Sequence, residues 1–568
     1  MWLPWRKQPA LSIYYDPAYR IASAELERRF GIETRRADLA LWYLVGERVI
    51  RSRDVRSPRR ASYDEMGLVH TPAYLESISR AETLAHIFAI APEEVLVDSM
   101  LGAVRLAVGA TIDAARESVR TRAATLNLLG GFHHAAPTHG GGLCVINDIA
   151  VAVAVLRRDG FVGQIAVLDL DAHPPDGTAA CLSLDPTVWI GSLSGSRWDG
   201  LAGVDETIVE HTTDATYAAA LDALLRRMPT VELTFVIAGG DVVAGDRLGT
   251  VGISMAAVRA RDLTVARQLG GQSSVWLPGG GYSADSWKVL AGTALALARR
   301  SDSPITDRDP LSMRFRAIAR RLDPGKLGAD DELGSTDLDE LFGRPKAPTR
   351  LLGYYTTEGL EYALHQYGIL SYVERLGYAE LRVTIEPAPA GGERACLYAK
   401  ADGVEHRLID CSLERREIGK LRVLYIHWLN LRNPREQFSK GRPALPGQDA
   451  PGLGLIREMN ELFLRMAERL GLHGLAFTPA YFHTAYLAKT RFHFLDPHRQ
   501  GRFEALVRDL QSVPLAEATA LVANGQVHED GRPYQWEADV MVDLFEQAAE
   551  SSQATTTVKD SVHFNREV

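Results

Sequence analysis

Three short apolar runs, each followed closely by acidic residues or glycine, constrain the fold of this chain more than any other feature. They lie at 165–168, 234–237 and 274–277, and helix-length segments at 218–228 and 256–269 separate them. Strands that are apolar along their whole length and alternate with helices are typical of a parallel sheet that helices cover on both faces. The sequence therefore predicts an α/β domain whose chemistry lies beyond the carboxyl ends of the strands.

The chain changes character near residue 300. The residues that follow are rich in Asp, Gly and Pro and include one short basic stretch at 314–321, which is typical of a linker. Strand-like runs at 381–385 and 421–428 and a helix-period apolar stripe at 455–470 indicate a second, α+β domain. The predicted organisation is an α/β domain, a linker with a short helix, a smaller α+β domain and a flexible tail, at 1–300, 301–349, 350–546 and 547–568.

Charge and cysteine usage exclude several classes of protein. Lys and Arg number 63 against 72 Asp and Glu, with no dense basic block, so direct nucleic-acid binding is not expected. The four cysteines form no Cys-x-x-Cys pair, which argues against a disulfide scaffold and a cysteine-ligated zinc site. The longest apolar run, at 149–156, is too short to span a bilayer, and the first residues lack an apolar signal region. We therefore expect a cytoplasmic protein that does not bind membranes.

The segments that follow the predicted strands carry residue types used in hydrolysis. They are Asp-Leu-Asp-Ala-His-Pro-Pro-Asp at 169–176, Ala-Gly-Gly-Asp at 238–241 and Pro-Gly-Gly-Gly-Tyr at 278–282, and a Gly-Gly-Phe-His-His segment lies at 130–134. Each alone is typical of an ordinary cap or turn. Because the carboxyl ends of parallel strands meet at one edge of a sheet, we expect these segments to converge there.

A catalytic metal site is predicted from three of these side chains. Asp171, His173 and Asp241 offer two carboxylates and one imidazole, which leave a fourth position open as in catalytic zinc sites. An ion held there would polarise an amide carbonyl and make water a usable nucleophile near neutral pH.

The proton transfers of hydrolysis need further groups beside that ion. The adjacent His133 and His134 can accept a proton from water and return it to the leaving amine. Asp169 and Asp176 are the carboxylates available to orient these imidazoles. Tyr282, which follows a glycine turn, can donate its hydroxyl to the oxyanion opposite the metal.

These segments resemble the histone deacetylase family of zinc amidohydrolases over about residues 10–300. GGFHHAAPTHGGGLCVINDIAVA is similar to the family's tandem-histidine loop, LDLDAHPPDG to its Asp-x-Asp-x-His block, and AGGDVVAGDRLG and LPGGGYS to its later aspartate and tyrosine loops. VHTPAYLESI at 69–78 resembles its early Val-His-x-x-x-Tyr element, and the Asp-Ala-His wording is nearest to the class IV and bacterial branch. The resemblance implies an arginase/deacetylase type of fold and a zinc-dependent deacetylase.

The resemblance also implies a role for each matching residue. The zinc ligands that it implies are Asp171, His173 and Asp241. The catalytic residues that it implies are the general base His134, its electrostatic partner His133, their supporting carboxylates Asp176 and Asp169, and the oxyanion donor Tyr282. A monovalent cation, usually potassium, would be held by Asp169, Ser192 and the backbone carbonyls of Asp171, His173 and Leu193.

The chain departs from the family's pattern around the substrate. Leu143, next to Gly142, replaces the Phe that walls the acyl tunnel, and Trp198 is the side chain available for the opposite wall. A tunnel with Leu for Phe should be roomier, which puts strict specificity for acetyl in doubt. Pro174 and Pro175 fix φ and remove two backbone donors directly after a metal ligand, so the loop there is not expected to be standard.

Three functions compete on these residues. The leading hypothesis is a zinc-dependent amidohydrolase that removes acetyl or other acyl groups from a protein lysine, a polyamine or a small amine. A ureohydrolase with two metal ions would need further carboxylates where the chain has Pro175 and Val243. The third is a metal-stabilised binder of acyl ligands whose catalytic loop is spoiled by the two prolines. The acyl group, the amine and the oligomeric state stay open.

The second domain faintly resembles GNAT-type acetyltransferases. A strand at 421–428, a Gly452-x-Gly454 turn before a helix, and a Tyr- and Phe-rich segment at 474–497 follow one another in that family's order. Backbone amides at such a helix start can bind a pyrophosphate, and the resemblance implies acyl-CoA. Asp449 stands where the family has Arg or Gln, so a degenerate domain that binds substrate or a partner is the alternative.

Overall fold

The structure is a computed structural model, and it describes residues 11–21, 24–198, 201–328, 350–389, 391–439, 441, 443–529, 531–545 and 552–566. The chain divides into two compact units, Met1–Arg320 and Arg321–Val568. The boundary lies within the predicted linker, of which residues 329–349 fall outside the described part of the chain.

An eight-stranded parallel sheet forms the centre of the first unit. Its strands are β1 (Ser12–Tyr14), β2 (Val55–Arg56), β3 (Ala124–Asn127), β4 (Ile165–Asp169), β5 (Val188–Ser194), β6 (Val204–Ile208), β7 (Leu233–Ile237) and β8 (Ser273–Leu277). Across the sheet the order is β2-β1-β3-β8-β7-β4-β5-β6, and each neighbouring pair is parallel. β4, β7 and β8 confirm the three strands predicted from the apolar runs.

Helices cover this sheet on both faces. As a result, every residue of β4, β7 and β8 is buried. The helices of the unit are α1 (Ala24–Phe30), α2 (Arg36–Gly46), α3 (Tyr63–Met66), α4 (Pro72–Ser77), α5 (Ala81–Phe88), α6 (Val97–Thr121), α7 (Asp148–Arg158), α8 (Asp176–Leu182), α9 (Asp214–Arg227), α10 (Met255–Gln268), α11 (Ser286–Arg299) and α12 (Pro310–Ala319). The long α6 packs against β3 and β8, and α9 packs against β5. α9 and α10 confirm the helices predicted between the strands.

The short basic helix predicted in the linker is α12, but it belongs to the first unit. Its Met313 and Phe315 are buried, and the helix packs against α2. Arg316 forms an ion pair of 2.9 Å with Glu47 directly after α2. A few apolar side chains on one face therefore fold a segment whose overall composition is typical of a linker.

A mixed sheet forms the centre of the second unit. Its strands are β9 (Ala379–Pro387), β10 (Glu393–Ala401), β11 (Val404–Ile418), β12 (Leu421–Leu431), β13 (Gly474–Phe477), β14 (His493–Phe494) and β17 (Met541–Leu544), in the spatial order β14-β17-β13-β12-β11-β10-β9. The pairing is antiparallel except between β12 and β13. A small antiparallel sheet holds β15 (Val527–Glu529), β16 (Arg532–Pro533) and β18 (Phe564–Arg566).

The helices of the second unit complete an α+β architecture. They are α13 (Pro324–Leu327), α14 (Thr357–Gln366), α15 (Ile369–Arg375), α16 (Ile456–Arg469), α17 (Phe482–Ala488), α18 (Pro497–Asp509), α19 (Leu515–Ala523) and α20 (Ser552–Ser561). β9, β12 and α16 confirm the strands and the helix predicted here. The predicted fold class, a large parallel α/β sheet followed by a smaller α+β domain, is therefore confirmed. The helices of the described residues include none with the length and hydropathy of a membrane span.

The prediction of a flexible tail needs correction for residues 552–566. α20 packs against α18, and β18 pairs with β15. Phe564 is buried, with its ring centroid 5.0 Å from that of Tyr534. The buried ring of Phe564 anchors this segment, although its polar composition had predicted a flexible tail.

Candidate functional site

The carboxyl ends of neighbouring strands bring the four predicted segments together. The chemistry-bearing residues are His133 and His134 after β3, Asp171 and His173 after β4, Asp241 after β7 and Tyr282 after β8. β3, β8, β7 and β4 are consecutive in the sheet, so their ends lie side by side. This convergence is the one expected for parallel strands.

Asp171, His173 and Asp241 form one potential metal-binding group. A ligand atom from each lies within 4.8 Å of those of the other two. His173 Nδ1 is 3.1 Å from Asp171 Oδ1 and 2.9 Å from Asp241 Oδ2. Atoms that ligate one tetrahedral zinc ion at about 2 Å lie roughly 3.3 Å from one another. The donor atoms and their spacing therefore fit a single ion of this kind.

The electrostatics of this group favour a cation. Asp171 and Asp241 are buried. Burial opposes protonation of His173, but hydrogen bonds and charge from the two carboxylates outweigh it and raise its pKa to about 11. Burial and the charge of Asp171 raise the pKa of Asp241 to about 7. Buried carboxylates that stabilise a positive charge so strongly are the surroundings a divalent ion requires.

Backbone amides hold the two carboxylates in place. The Ala172 N–H donates to Asp241 Oδ1 at 3.0 Å, and the Gly280 N–H donates to Asp171 Oδ2 at 2.6 Å. A Cβ atom on Gly280 would lie 2.4 Å from Asp241 Oδ2. Only glycine therefore lets the loop after β8 approach both carboxylates.

The two histidines are each paired with the carboxylate predicted for them. His133 Nδ1 lies 2.7 Å from Asp169 Oδ2, and His134 Nδ1 lies 2.6 Å from Asp176 Oδ1. Burial disfavours protonated His133, but Asp169 and Asp171 outweigh it and raise its pKa to about 9. Burial and the neighbouring His133 lower the pKa of His134. At neutral pH one imidazole is therefore charged and the other is free to accept a proton.

Buried groups without a predicted role hold the tandem-histidine loop. Asp148 accepts the Phe132 N–H at 2.8 Å, and Asn147 Nδ2 donates to the Ala135 carbonyl at 3.2 Å. His70 Nε2 accepts the Asn147 N–H at 3.1 Å. The segments that contain these residues resemble the family's motifs, but the resemblance assigned no role to the individual side chains.

Tyr282 is held by a carboxylate that also had no predicted role. Its backbone N–H donates to Asp246 Oδ2 at 2.6 Å, and its ring centroid lies 6.5 Å from that of His173. Burial, with the charges of Asp241 and Asp171, holds the pKa of the Tyr282 hydroxyl well above its ordinary value. The hydroxyl therefore remains a hydrogen-bond donor at neutral pH.

The three predicted tunnel residues lie beside the histidine pair. Gly142 and Leu143 line the same cavity as His134 and Tyr282. The indole of Trp198 stacks on His134, with ring centroids 5.3 Å apart and an interplanar angle of 23°. Trp198 is 39% exposed, which is consistent with a place at the entrance.

A half-buried arginine that sequence reasoning missed lines the same cavity. Arg36, at the start of α2, donates from Nη2 to the Gly279 carbonyl at 2.8 Å. Burial lowers its pKa, and the charges of Tyr282 and Asp171 oppose that effect. A lone arginine outside any motif gave no sequence signal for this position.

The two prolines after His173 leave the neighbouring contacts in place. Pro175 is the N-cap residue of α8, where a missing N–H removes no helical hydrogen bond. The Asp176 N–H donates to the Pro174 carbonyl at 3.0 Å. The Asp176 side chain still reaches His134, so the departure from the family's pattern does not displace this carboxylate.

The residues predicted for a monovalent cation also lie together. Asp169 and Ser192 are register partners in β4 and β5. Ser192 is fully buried, and its Oγ has no hydrogen-bond partner within the described ranges.

The predicted acyl-CoA turn, Gly452 and Gly454, lies in the second unit directly before α16, and Gly454 has a φ of +77°.

Fold and site together define an α/β protein in which three potential metal ligands lie beside a histidine pair. Residues 32–199 match the family model described as "Histone deacetylase domain", a span that includes the histidine pair and ends before Asp241 and Tyr282. This part of the chain is therefore similar to histone deacetylase domains.

Several known proteins are similar to part of this chain. The chain is 28% identical over 309 residues to "Histone deacetylase 2" of Arabidopsis thaliana, which covers 51% of this chain and 79% of the relative. It is 29% identical over 182 residues to "Acetoin utilization protein AcuC" of Bacillus subtilis, covering 31% and 46%. A crystal structure of an HDAC homolog from Aquifex aeolicus matches with a TM-score of 0.43 and 21% identity, over 52% of this chain and 85% of that one.

Proposed function

We propose that the first unit is a zinc-dependent amidohydrolase that removes acetyl or other acyl groups from an amine. The observation that carries this proposal is the convergence of the ligand set Asp171, His173 and Asp241 with the pair His133 and His134. The family match and the names of the relatives support a hydrolase of the deacetylase type. The substrate amine is a protein lysine, a polyamine or a related small molecule.

The donor set and its burial support zinc at Asp171, His173 and Asp241. When bound, zinc supplies a Lewis acid that polarises the amide carbonyl and acidifies water. The two-metal ureohydrolase is disfavoured, because Pro175 and Val243 occupy the positions where further carboxylates would be needed.

His134 is the general base in this proposal. Its Nδ1 contacts the Asp176 carboxylate, which leaves Nε2 free to accept a proton from water. Its lowered pKa keeps it neutral before the reaction, and the proton it gains then passes to the leaving amine. His133, protonated beside Asp169, contributes a fixed positive charge near the developing oxyanion.

Tyr282 and Arg36 complete the roles that we assign to the cavity. The Tyr282 hydroxyl donates to the substrate carbonyl oxygen as negative charge develops there. The other product is a carboxylate, and the guanidinium of Arg36 offers it a cationic partner in the same cavity.

We also propose a monovalent cation, usually potassium in this family, at Asp169, Ser192 and the carbonyls of Asp171, His173 and Leu193. The support is the buried, unpartnered hydroxyl of Ser192 beside Asp169, because such a group needs a partner. Activity that rises with potassium, and a Ser192→Ala variant that needs more of it, would support this site.

The experiment that tests the main proposal is an acyl-chain-length series on acylated lysine and acylated polyamine, with and without a zinc chelator. We expect hydrolysis that the chelator abolishes and that His134→Ala loses while it retains zinc. His139→Ala is the matched control, because this exposed histidine lies five residues away and has no assigned role. Chelator-resistant activity, or full activity in His134→Ala, would contradict the mechanism. Tight binding of the acylated amine without turnover would favour the non-catalytic alternative.

A second candidate function, acyl-CoA binding, concerns the second unit. One observation favours it: β12 and β13 pair in parallel over only three residues in an otherwise antiparallel sheet, and the glycine turn and α16 lie on the connection between them. Backbone amides at a helix start are a common binding site for a pyrophosphate. Calorimetry with acetyl-CoA tests the idea, and absence of binding would leave the alternative of a substrate- or partner-binding domain.

A further inference from the structure

Arg261 and Asp262 form an ion pair that is wholly buried behind the metal-ligand group. Both side chains are 0% exposed, and Arg261 Nε lies 2.8 Å from Asp262 Oδ1. Both residues belong to α10, and Asp262 Oδ2 accepts a hydrogen bond of 2.6 Å from Thr293 on α11. Burying two charges is costly even when they are paired, so the pair calls for an explanation beyond stability.

The guanidinium also holds the two loops that carry the aspartate ligands. Arg261 Nη1 donates to the Leu170 carbonyl at 3.1 Å and to the Gly239 carbonyl at 2.9 Å. Leu170 immediately precedes Asp171, and Gly239 lies two residues before Asp241. A single nitrogen atom therefore joins the ends of the adjacent strands β4 and β7.

These two loops are closely packed against each other. A Cβ atom on Gly239 would lie 2.6 Å from the Asp171 Cα. On the ligand side the Ala172 N–H bonds to Asp241 Oδ1. The two aspartate loops are thus joined at the metal group and, through Arg261, on the side that faces the helices.

We propose that Arg261 is a positioning residue for the metal site, which fixes the separation of Asp171 and Asp241 through the Leu170 and Gly239 carbonyls. This inference rests on the proposed function. Asp262 balances the charge of Arg261, so the contribution lies in geometry rather than in net charge. Groups that orient metal ligands in this way typically change metal affinity about 10- to 100-fold when they are removed.

The test measures zinc affinity by competition with a chromophoric chelator, using Zn²⁺ alone as the probe. Arg261→Met combined with Asp262→Leu removes both charges, so that no buried ion is left unpaired. Arg261→Lys keeps the charge and the pairing with Asp262, but one ammonium cannot reproduce the planar fork. We expect zinc binding about 10- to 100-fold weaker in the double variant and intermediate in the lysine variant, with turnover restored in both at saturating zinc.

Arg157→Met is the matched control. Arg157 likewise donates from Nη1 to two carbonyls, those of Phe161 and Gly163, at 2.8 Å and 2.9 Å, but it does so before the opposite end of β4. We expect this variant to lose stability and to bind zinc as the wild type does.

Two results would overturn the inference. One is wild-type zinc affinity in the Arg261 variants, and the other is an equal loss of affinity in Arg157→Met, which would assign the effect to general destabilisation. Should the double variant fail to fold, Arg261→Lys decides between these outcomes. A wild-type chain that binds no zinc would instead overturn the proposed function, and this inference with it.

Discussion

Replacing Gly142 by alanine tests how closely the position of His134 controls the reaction. An added Cβ atom would lie 2.4 Å from His134 Cδ2, and Gly142 has a φ of +52°. Ordinary contacts begin at 3.4 Å, so the imidazole or the loop must move by about 1 Å. A displacement of that size in a catalytic group can lower the rate about 100-fold. The left-handed backbone should also cost about 1–2 kcal/mol of folding free energy.

The assay separates catalysis from metal binding. We expect kcat/KM of Gly142→Ala on an acylated lysine to fall about 100-fold, with zinc affinity unchanged because His134 is not a ligand. Gly141→Ala is the control, since a Cβ atom there meets nothing within 4 Å. If Gly142→Ala hydrolyses its substrate as fast as Gly141→Ala, the contact with His134 does not set the catalytic geometry.

Three further predictions concern the same cavity. Tyr282→Phe should lower kcat about 100- to 1000-fold with little change in KM, as expected for one lost oxyanion donor; steady-state kinetics measures both. Because burial and His133 lower the pKa of His134 below 6.5, kcat/KM should fall only as the pH drops through that lowered value, and Asp176→Asn should move the fall to still lower pH. A decline that starts above about pH 7 on the acidic side would contradict this assignment. Leu143→Phe should narrow the tunnel, so that activity on longer acyl chains drops about 10-fold or more relative to acetyl in a chain-length series.

The metal group and the histidine pair could be predicted because their spacing is local or lies directly at a strand end. Asp171 and His173 are two residues apart after an apolar run, and His133 and His134 are adjacent. Asp241 is distant in the chain, but it follows another apolar run, and parallel strands bring such ends together. The continuous apolar runs that end just before these residues therefore made the site predictable.

Arginines on helices could not be assigned in the same way. The contacts of Arg36 and Arg261 depend on which strand ends lie beneath their helices, and neither residue belongs to a recognised motif. Asp246 is in a segment that was singled out, yet its bond to the Tyr282 amide depends on a loop 36 residues later. Such roles depend on tertiary packing, and no local pattern in the sequence indicates them.

The second unit shows a different limit. β11 is long, but buried polar residues such as Asp410 and Ser412 interrupt its apolar pattern. Asp410 is satisfied by Arg394 at 2.8 Å on the neighbouring strand. Because a cross-strand partner satisfies the buried polar group, a prediction from the pattern of apolar and polar residues misses such a strand.

The close packing of the glycine loop after β8 implies that positions around the site differ in how far they tolerate substitution. Gly280 meets the two carboxylates through its backbone alone, with no room for a side chain, so a variant that keeps both carboxylates in place must keep glycine at this position. The side chain of Leu143 lines the cavity and that of Trp198 stacks on His134, and neither contacts the two carboxylates through its backbone. Under the proposed function, changes in acyl specificity are therefore expected at Leu143 and Trp198, whereas the glycine at position 280 is expected to stay unchanged.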